Sequence, residues 1–550
     1  MKHVSYYLLL LILLSISCVP SSLPPSVRIK PTSPPLRSSS ATTTVVTAPV
    51  ITQTAEATRT PISTIYTREA SPAKDELSES FILFSVYLDP ESLHLTDARS
   101  DGVPWLVASN LNGENLIPIV ESCFFQMSES SEGRVAVVLG RPGPNDRCDD
   151  YYTIPEQLAV VSTPDFSIRY ISPLASYFTD IPKDIRSAIN EGKLYVVNAL
   201  SAISVAKPAW SPDGRYLAFA GAIDGPTSDL YLYDSNQDEI IRVSSGPNQA
   251  YGPTWNSDSS GVLHQEVKYI QEPMNPVVPY PRALWWSEID DGVLTRFVDI
   301  NSRETDWLWF DGWIDGARFL FHYVPSSGPS VGGSLMLGDT LSGETIKILE
   351  DVEKVEIVTD EGNAILLVTV IPEESEHGAT SAPRMLYLVN INTMQIMEIP
   401  IEVNGYTQLI AHNTFNQFIV NNEDNGMVKV FSDGSWERLL LEKGVTKFRL
   451  SADGFHAFAV RRQQPDELIT FDSKGRIADL QPINGNVNVD FYWRPDGKVF
   501  FDRDSGDYVQ LPSLEVKPIQ DPLKLLAWWA WFKNPNGFLI LNQASEDLSK

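Results

Sequence analysis

Short apolar runs, each ended by a polar reversal, recur along most of this chain. One runs into Trp210-Ser211-Pro212-Asp213-Gly214, and the next opens directly after it at Tyr216-Leu217-Ala218-Phe219. Proline fixes φ and glycine accepts positive φ, so Pro-Asp-Gly between two apolar runs predicts a tight turn between strands. A third run follows at Leu230-Tyr231-Leu232-Tyr233, a polar break at Asp234 to Gln237, and a fourth run at Ile240-Ile241-Arg242-Val243. Four strands joined by short turns predict a small antiparallel sheet, which cannot bury both of its faces alone.

The unit returns along the chain. Copies stand at Met127 to Val138, Trp255 to Leu263, Trp313 to Phe321, Thr359 to Leu367, Leu450 to Phe458 and Trp493 to Phe501, with a weaker one from Thr407 to Val420. Turn glycines are typically spaced in the forties, the length of one propeller blade. The interval from Gly133 to Gly214 is about double. Either a degenerate strand unit around Gly192 to Val197 fills it, or an insertion does, which a helical pattern at Ile181 to Asn190 favours. The ends carry half-units, Trp105 to Ile119 at one and Trp531 to Leu541 at the other, as closure of a ring by pairing both ends would require. Nine candidate units result, and the usual limit of eight predicts one over-count. The expectation is therefore an all-β fold, a single β-propeller of about eight four-stranded antiparallel blades, closed by pairing N- and C-terminal strands.

The string Trp210-Ser211-Pro212-Asp213-Gly214-Arg215-Tyr216-Leu217-Ala218-Phe219 resembles the hallmark repeat of the TolB-like family of WD-type β-propellers. The likeness is close there, good at residues 449–458 and 493–501, and loose elsewhere. It implies that the repeat residues are structural, the turn shaping each blade and the aromatic packing between neighbours.

The first residues differ in kind. Lys2 and His3 precede an apolar run from Val4 to Ile16, too short for a permanent membrane span. Leu14-Ser15-Ile16-Ser17-Cys18 then resembles the lipobox of bacterial lipoproteins, with Ser15 where leucine is commonest. The resemblance implies diacylation of Cys18; an ordinary cleaved signal peptide is the alternative, and both imply export. Residues 19–76 are rich in Ser, Thr and Pro and lack apolar periodicity, so an unfolded stalk is expected there. The expected domains are thus 1–18, a lipoprotein signal peptide, 19–76, a disordered stalk, and 77–550, the propeller.

Charge and cysteines narrow the function. A net charge of −28 argues against nucleic acid or an anionic bilayer surface as partner, since both reward a basic face. Membrane contact is expected through the lipid anchor only. Setting Cys18 aside, Cys123 and Cys148 form an even pair in an exported chain, readable as a disulfide or as two free thiols.

Catalytic chemistry is not expected. No stretch is left over for the hydrolase domain that accompanies some propellers, and the seven histidines show no paired metal-ligand spacing. His456 reads as a packing residue, and Asp502 to Asp507 as a turn lacking the distal glutamate of a calcium loop. No metal or cofactor is called for. Trp285, Trp286, Trp307, Trp309, Trp528, Trp529 and Trp531 are the aromatics open to binding, although most propeller tryptophans pack between blades. The expectation is a non-catalytic extracytoplasmic lipoprotein, membrane-anchored or secreted, presenting its propeller to a protein or peptide partner. The alternative is a carbohydrate-binding or glycoside-acting propeller.

Overall fold

The computed structural model describes three short segments, 52–54, 59–60 and 67–68, and residues 81–528 apart from several internal stretches. The chain divides into two compact units, Met1–Thr43 and Thr44–Lys550, and every described residue belongs to the second. The leader, the lipobox with Cys18 and the Trp531 to Leu541 half-unit lie outside the described residues.

Alternating apolar runs and turns build antiparallel sheets throughout. The first sheet has three strands, Phe81–Val86, Trp105–Asn110 and Ile117–Glu121. The second has four, Cys123–Glu129, Arg134–Arg141, Ile154–Ser162 and Ile168–Pro173. The third runs Ala209–Trp210, Tyr216–Gly221, Asp229–Asp234 and Glu239–Arg242. The fourth is Gln249–Trp255, Gly261–Ile270, Val278–Glu288 and Val293–Asp299.

A seven-stranded sheet follows that is two units sharing a strand. Trp307–Trp313, Arg318–Val324 and Gly333–Asp339 lead into the long strand Thr345–Asp360. Its first half is the last strand of the fifth sheet. Its second half is the first strand of the sixth, continued by Asn363–Val370, Pro383–Asn390 and Gln395–Asn404. Three more four-stranded sheets complete the set. The seventh spans Gln408–His412 to Trp436–Leu440, the eighth Val445–Leu450 to Ile477–Pro482, and the ninth Phe491–Trp493 to Val516–Pro518.

Each sheet buries one face against its successor. Tyr216, Ala218 and Leu232 of the third pack on Ala250, Trp255 and Val262 of the fourth. Leu263 and Trp286 of the fourth pack on Leu308, Phe319 and Phe321 of the fifth. The series continues through Leu367, Phe418 and Val430 between the sixth and seventh, and Phe458, Trp493 and Phe500 between the eighth and ninth.

The turns interlock in the same order. Gly214, at φ 75°, takes a conformation that glycine accepts without steric cost, and a Cβ there would lie 3.2 Å from Glu132 of the preceding sheet. The Ser259 hydroxyl accepts from the Asp213 amide at 3.0 Å, the Gly316 carbonyl from Asn256 Nδ2 at 2.7 Å, and the Asp453 carbonyl from the Thr414 hydroxyl at 3.0 Å.

One finding decides a choice the sequence left open, and two others depart from expectation. Residues 194–197 are not a strand unit. They open the helix Leu194–Val205, which buries Val196, Ala199, Leu200 and Ile203 against the second and third sheets, so the doubled interval holds an insertion. Closure by pairing of terminal strands is not seen among the described residues. Trp105–Asn110 pairs with Phe81–Val86 on one side and Ile117–Glu121 on the other. The described chain instead reaches back through side chains, with Ala527 in the core of the first two sheets and Trp528 on Val499 and Phe501 of the ninth. Within residues 19–76, three short segments are paired: Thr52–Thr54 with the last strand of the fourth sheet, Arg59–Thr60 with that of the third, and Thr67–Arg68 with that of the second.

Candidate functional site

Every repeat turn consumes its own polar groups. The Ser211 hydroxyl donates to Asp213 Oδ1 at 2.5 Å and accepts from the Tyr216 amide, while Asp213 also accepts from the Arg215 amide. Ser451 and Asp453 repeat the arrangement. These residues are spent on shaping the sheet.

A different constellation forms at the opposite end of the third sheet. There Gly221–Asp229 joins the second and third strands by a connection longer than a tight turn, and residues 243–248 lead on to the fourth sheet. Asp229, 1% exposed, binds Arg242 Nη2 and accepts from the Thr227 hydroxyl at 3.3 Å. Arg242 Nη1 lies 3.1 Å from Asp224 Oδ1, which also accepts from the Tyr231 hydroxyl, and Arg242 Nε donates to the Ser244 carbonyl at 2.9 Å. The backbone must come close here: a Cβ on Gly225 would lie 3.1 Å from Arg242 Nη2, and one on Gly246 would lie 2.6 Å from the Thr227 hydroxyl.

Burial pushes the Asp229 carboxyl up to about 6, and Arg242 and Thr227 pull it only part of the way back. Burial, and then the bond to Asp224, likewise raise Tyr231. Low dielectric and close pairing thus make this a stiff network, in which each charge has its counterpart.

Beside it lies a row of aromatic rings. Phe178 is buried, 5.5 Å from Tyr177 and 6.1 Å from Tyr195 between centroids, while Tyr177 is 46% and Tyr195 56% exposed. Phe178 shares a core with Tyr231 and Phe219, so the row and the charged network have a common floor. Tyr177 and Ser176 are stitched to the third sheet through the Ala222 and Ile223 carbonyls at 3.0 and 2.9 Å. Tyr195 is set by the first turn of the helix. Sequence reading missed this site. Its one available signal was the length of the Gly221–Asp229 connection, since Tyr177 and Tyr195 come from the insertion whose fold it left open.

The tryptophans singled out from sequence separate. Trp286 and Trp528 are buried, Trp286 edge-on to Trp313 at 5.7 Å. Trp285, on the other face of the same strand, donates Nε1 to Glu266 at 2.6 Å. Trp309 is 48% exposed. The side chains of Trp307, Trp529 and Trp531 lie outside the described residues. The sulfurs of Cys123 and Cys148 are bonded, with Cα atoms 5.4 Å apart, tying the start of the second sheet to the connection between its middle strands. His456 sits in a strand, 6.4 Å from Trp493 between ring centroids. No group of three metal-binding side chains occurs among the described residues.

The sequence contains one Gly-x-Ser-x-Gly string at Gly328-Pro329-Ser330-Val331-Gly332. The string itself lies outside the described residues; the strands on either side, Arg318–Val324 and Gly333–Asp339, are antiparallel neighbours in one sheet, whereas a hydrolase elbow stands between a strand and a helix.

No family model matches the chain, and no curated protein matches it. Solved structures with some similarity include TolB from Acinetobacter baumannii, at 10% identity and TM-score 0.28 over 59% of this chain and 64% of that one. The β-propeller domain of the Trilobed protease from Pyrococcus furiosus shows 15% identity and TM-score 0.30 over 66% and 96%. Porphyromonas gingivalis dipeptidyl peptidase 4 shows 11% identity and TM-score 0.41 over 75% and 60%. With TM-scores below 0.5, none of the three decides the activity of this chain, which stands as an all-β protein of many antiparallel four-stranded sheets with TolB and other β-propeller proteins among its structural neighbours.

Proposed function

We propose that the chain is an exported TolB-like β-propeller that binds a protein or peptide partner without catalysis, at the Tyr177–Tyr195 row. The ring consists of the eight four-stranded units, closed across the three-stranded first sheet by the short helical segment 524–528, which carries Ala527 and Trp528. Contact of those two residues with the first and ninth sheets supports closure. The Cys123–Cys148 bond supports an oxidising location outside the cytoplasm.

One observation carries the binding reading: two half-exposed tyrosines stand over a fully paired Asp224–Arg242–Asp229 network. Tyrosine offers a large contact area at little entropic cost, and a paired network fixes its position without supplying a free base. Among the described residues, no histidine or cysteine hydrogen-bonds into the network. The test is a peptide array and a glycan array probed with the wild type and with Tyr177→Ala/Tyr195→Ala. Peptide binding at least about tenfold weaker in the variant, the loss of roughly 1.4 kcal/mol, is the expected result. Binding unaffected by the substitutions removes this site from the proposal, and a tyrosine-dependent signal on glycans alone replaces the peptide with a sugar.

A further inference from the structure

The connection from the sixth sheet to the seventh is a tightly bonded turn. Residues 404–407 join the strand Gln395–Asn404 to Gln408–His412, as residues 243–248 join the third sheet to the fourth. Each connection feeds a first strand that runs on to a repeat turn. Residues 404–407 therefore lie at the same end of the sheets as the Asp224–Arg242–Asp229 network.

Polar groups inside the turn satisfy one another. Asn404 Oδ1 accepts from the Tyr406 amide at 3.0 Å and from the Thr407 hydroxyl at 3.3 Å, and that hydroxyl accepts from the Asn404 amide at 2.9 Å. From the long strand Thr345–Asp360, Lys354 Nζ donates to the Gly405 and Thr407 carbonyls at 2.8 and 2.7 Å, one on either side of Tyr406. Thr407 is buried, whereas Tyr406 is 65% exposed, more than any other aromatic side chain among the described residues. A ring displayed on so constrained a backbone leaves little to be ordered when a partner arrives. The exposed Trp309 belongs to the fifth sheet, between the third and the sixth in sheet order.

Charge decides what such rings would hold. Asp and Glu outnumber Lys and Arg by 70 to 42, and the resulting field draws basic segments. A tyrosine face attracts a cation within about 6 Å. The chain makes this contact internally, with Arg215 4.6 Å over Tyr216 and Arg449 4.7 Å over Tyr492. Among the described residues, none of the cations that lie over rings lies over Tyr177, Tyr195 or Tyr406.

We infer that Tyr406 is a second anchor for the partner, and that the partner presents an extended basic segment whose arginine or lysine side chains lie over the exposed tyrosine rings. The inference rests on the binding reading of the Tyr177–Tyr195 row and names the chemistry of what binds there.

An array of peptides of about 20 residues, up to about 70 Å long when extended, tests it. Each peptide bearing Arg or Lys stands beside a copy with glutamine at those positions. The wild type should prefer the basic members of the pairs, Tyr406→Ala should bind them about fivefold or more weakly, and Tyr406→Phe should match the wild type. Unchanged urea midpoints serve as the control for folding. Tyr406→Ala equal to the wild type, where Tyr177→Ala/Tyr195→Ala binds less, overturns this inference and leaves the row standing. Glutamine copies bound as tightly as their basic counterparts overturn it too, as does Tyr406→Phe as weak as Tyr406→Ala. Binding unaltered in every variant, or no peptide bound by the wild type, removes the row and Tyr406 together.

Discussion

In three sheets an indole N–H at the end of the first strand donates back to the previous sheet, at a matching place each time, whereas the buried N–H of Trp210 has no such partner. Trp255 donates to the Ala209 carbonyl at 2.8 Å, Trp313 to the Thr254 hydroxyl at 3.3 Å, and Trp493 to the Arg449 carbonyl at 2.9 Å. Each acceptor immediately precedes the residue that occupies the tryptophan position in its own sheet. That an aromatic at this place packs between neighbouring sheets was legible from the repeat, because the turn beside it is local chemistry; which acceptor its N–H meets was not. Asp229 and Arg242 were not legible as a pair, because only strand register brings them together. Burial raises Asp229 from the usual 3.8 to about 6, so the folded state holds a proton there that the unfolded chain has released. Stability from this group is accordingly full below about pH 4 and declines as pH rises through 6, by about 3 kcal/mol in all. Urea unfolding at pH 4, 5, 6 and 7 should show the wild type losing ground relative to Asp229→Asn across that range. Parallel profiles would show that Asp229 is ionised at an ordinary pKa.

Among the elements, strands were easier to foresee than the helix. Period-two runs between turn residues identify themselves, whereas Leu194-Tyr195-Val196-Val197 is apolar and β-branched enough to read as a strand until packing decides. The helix wins because Val196, Ala199, Leu200 and Ile203 fall on one face and meet apolar walls from two sheets. The Cys123–Cys148 bond belongs to this scale too, because it fastens a long connection to a strand across 25 residues. Closing a loop of that size stabilises by about 3 kcal/mol on the chain-entropy account. Cys123→Ser/Cys148→Ser should therefore unfold at a lower urea midpoint than the oxidised wild type. Coincident midpoints would mean that the bond contributes nothing to folding.

For the molecule as a whole, the repeat was legible but the packing of Ala527 and Trp528 was not, since it depends on which sequence-remote surfaces those two residues meet. Trp528 is 2% exposed, between Phe501 at 5.7 Å and Tyr508 at 5.4 Å, and the neighbouring Ala527 is buried in the first sheet's core. Trp528→Ala should cost about 3–5 kcal/mol. If the ring shuts there, amide exchange should quicken in the first and ninth sheets together; an effect confined to the ninth would limit Trp528 to that sheet. The strand Thr345–Asp360 imposes another constraint. It is one continuous strand from one unit to the next, with Asp351 at a φ of 54° near the change of partner. Other neighbours are joined by connecting segments and can slide or tilt a little, but these two share a backbone ladder. Any breathing of the assembly must take place at the remaining seams, with this pair moving as a single rigid plate.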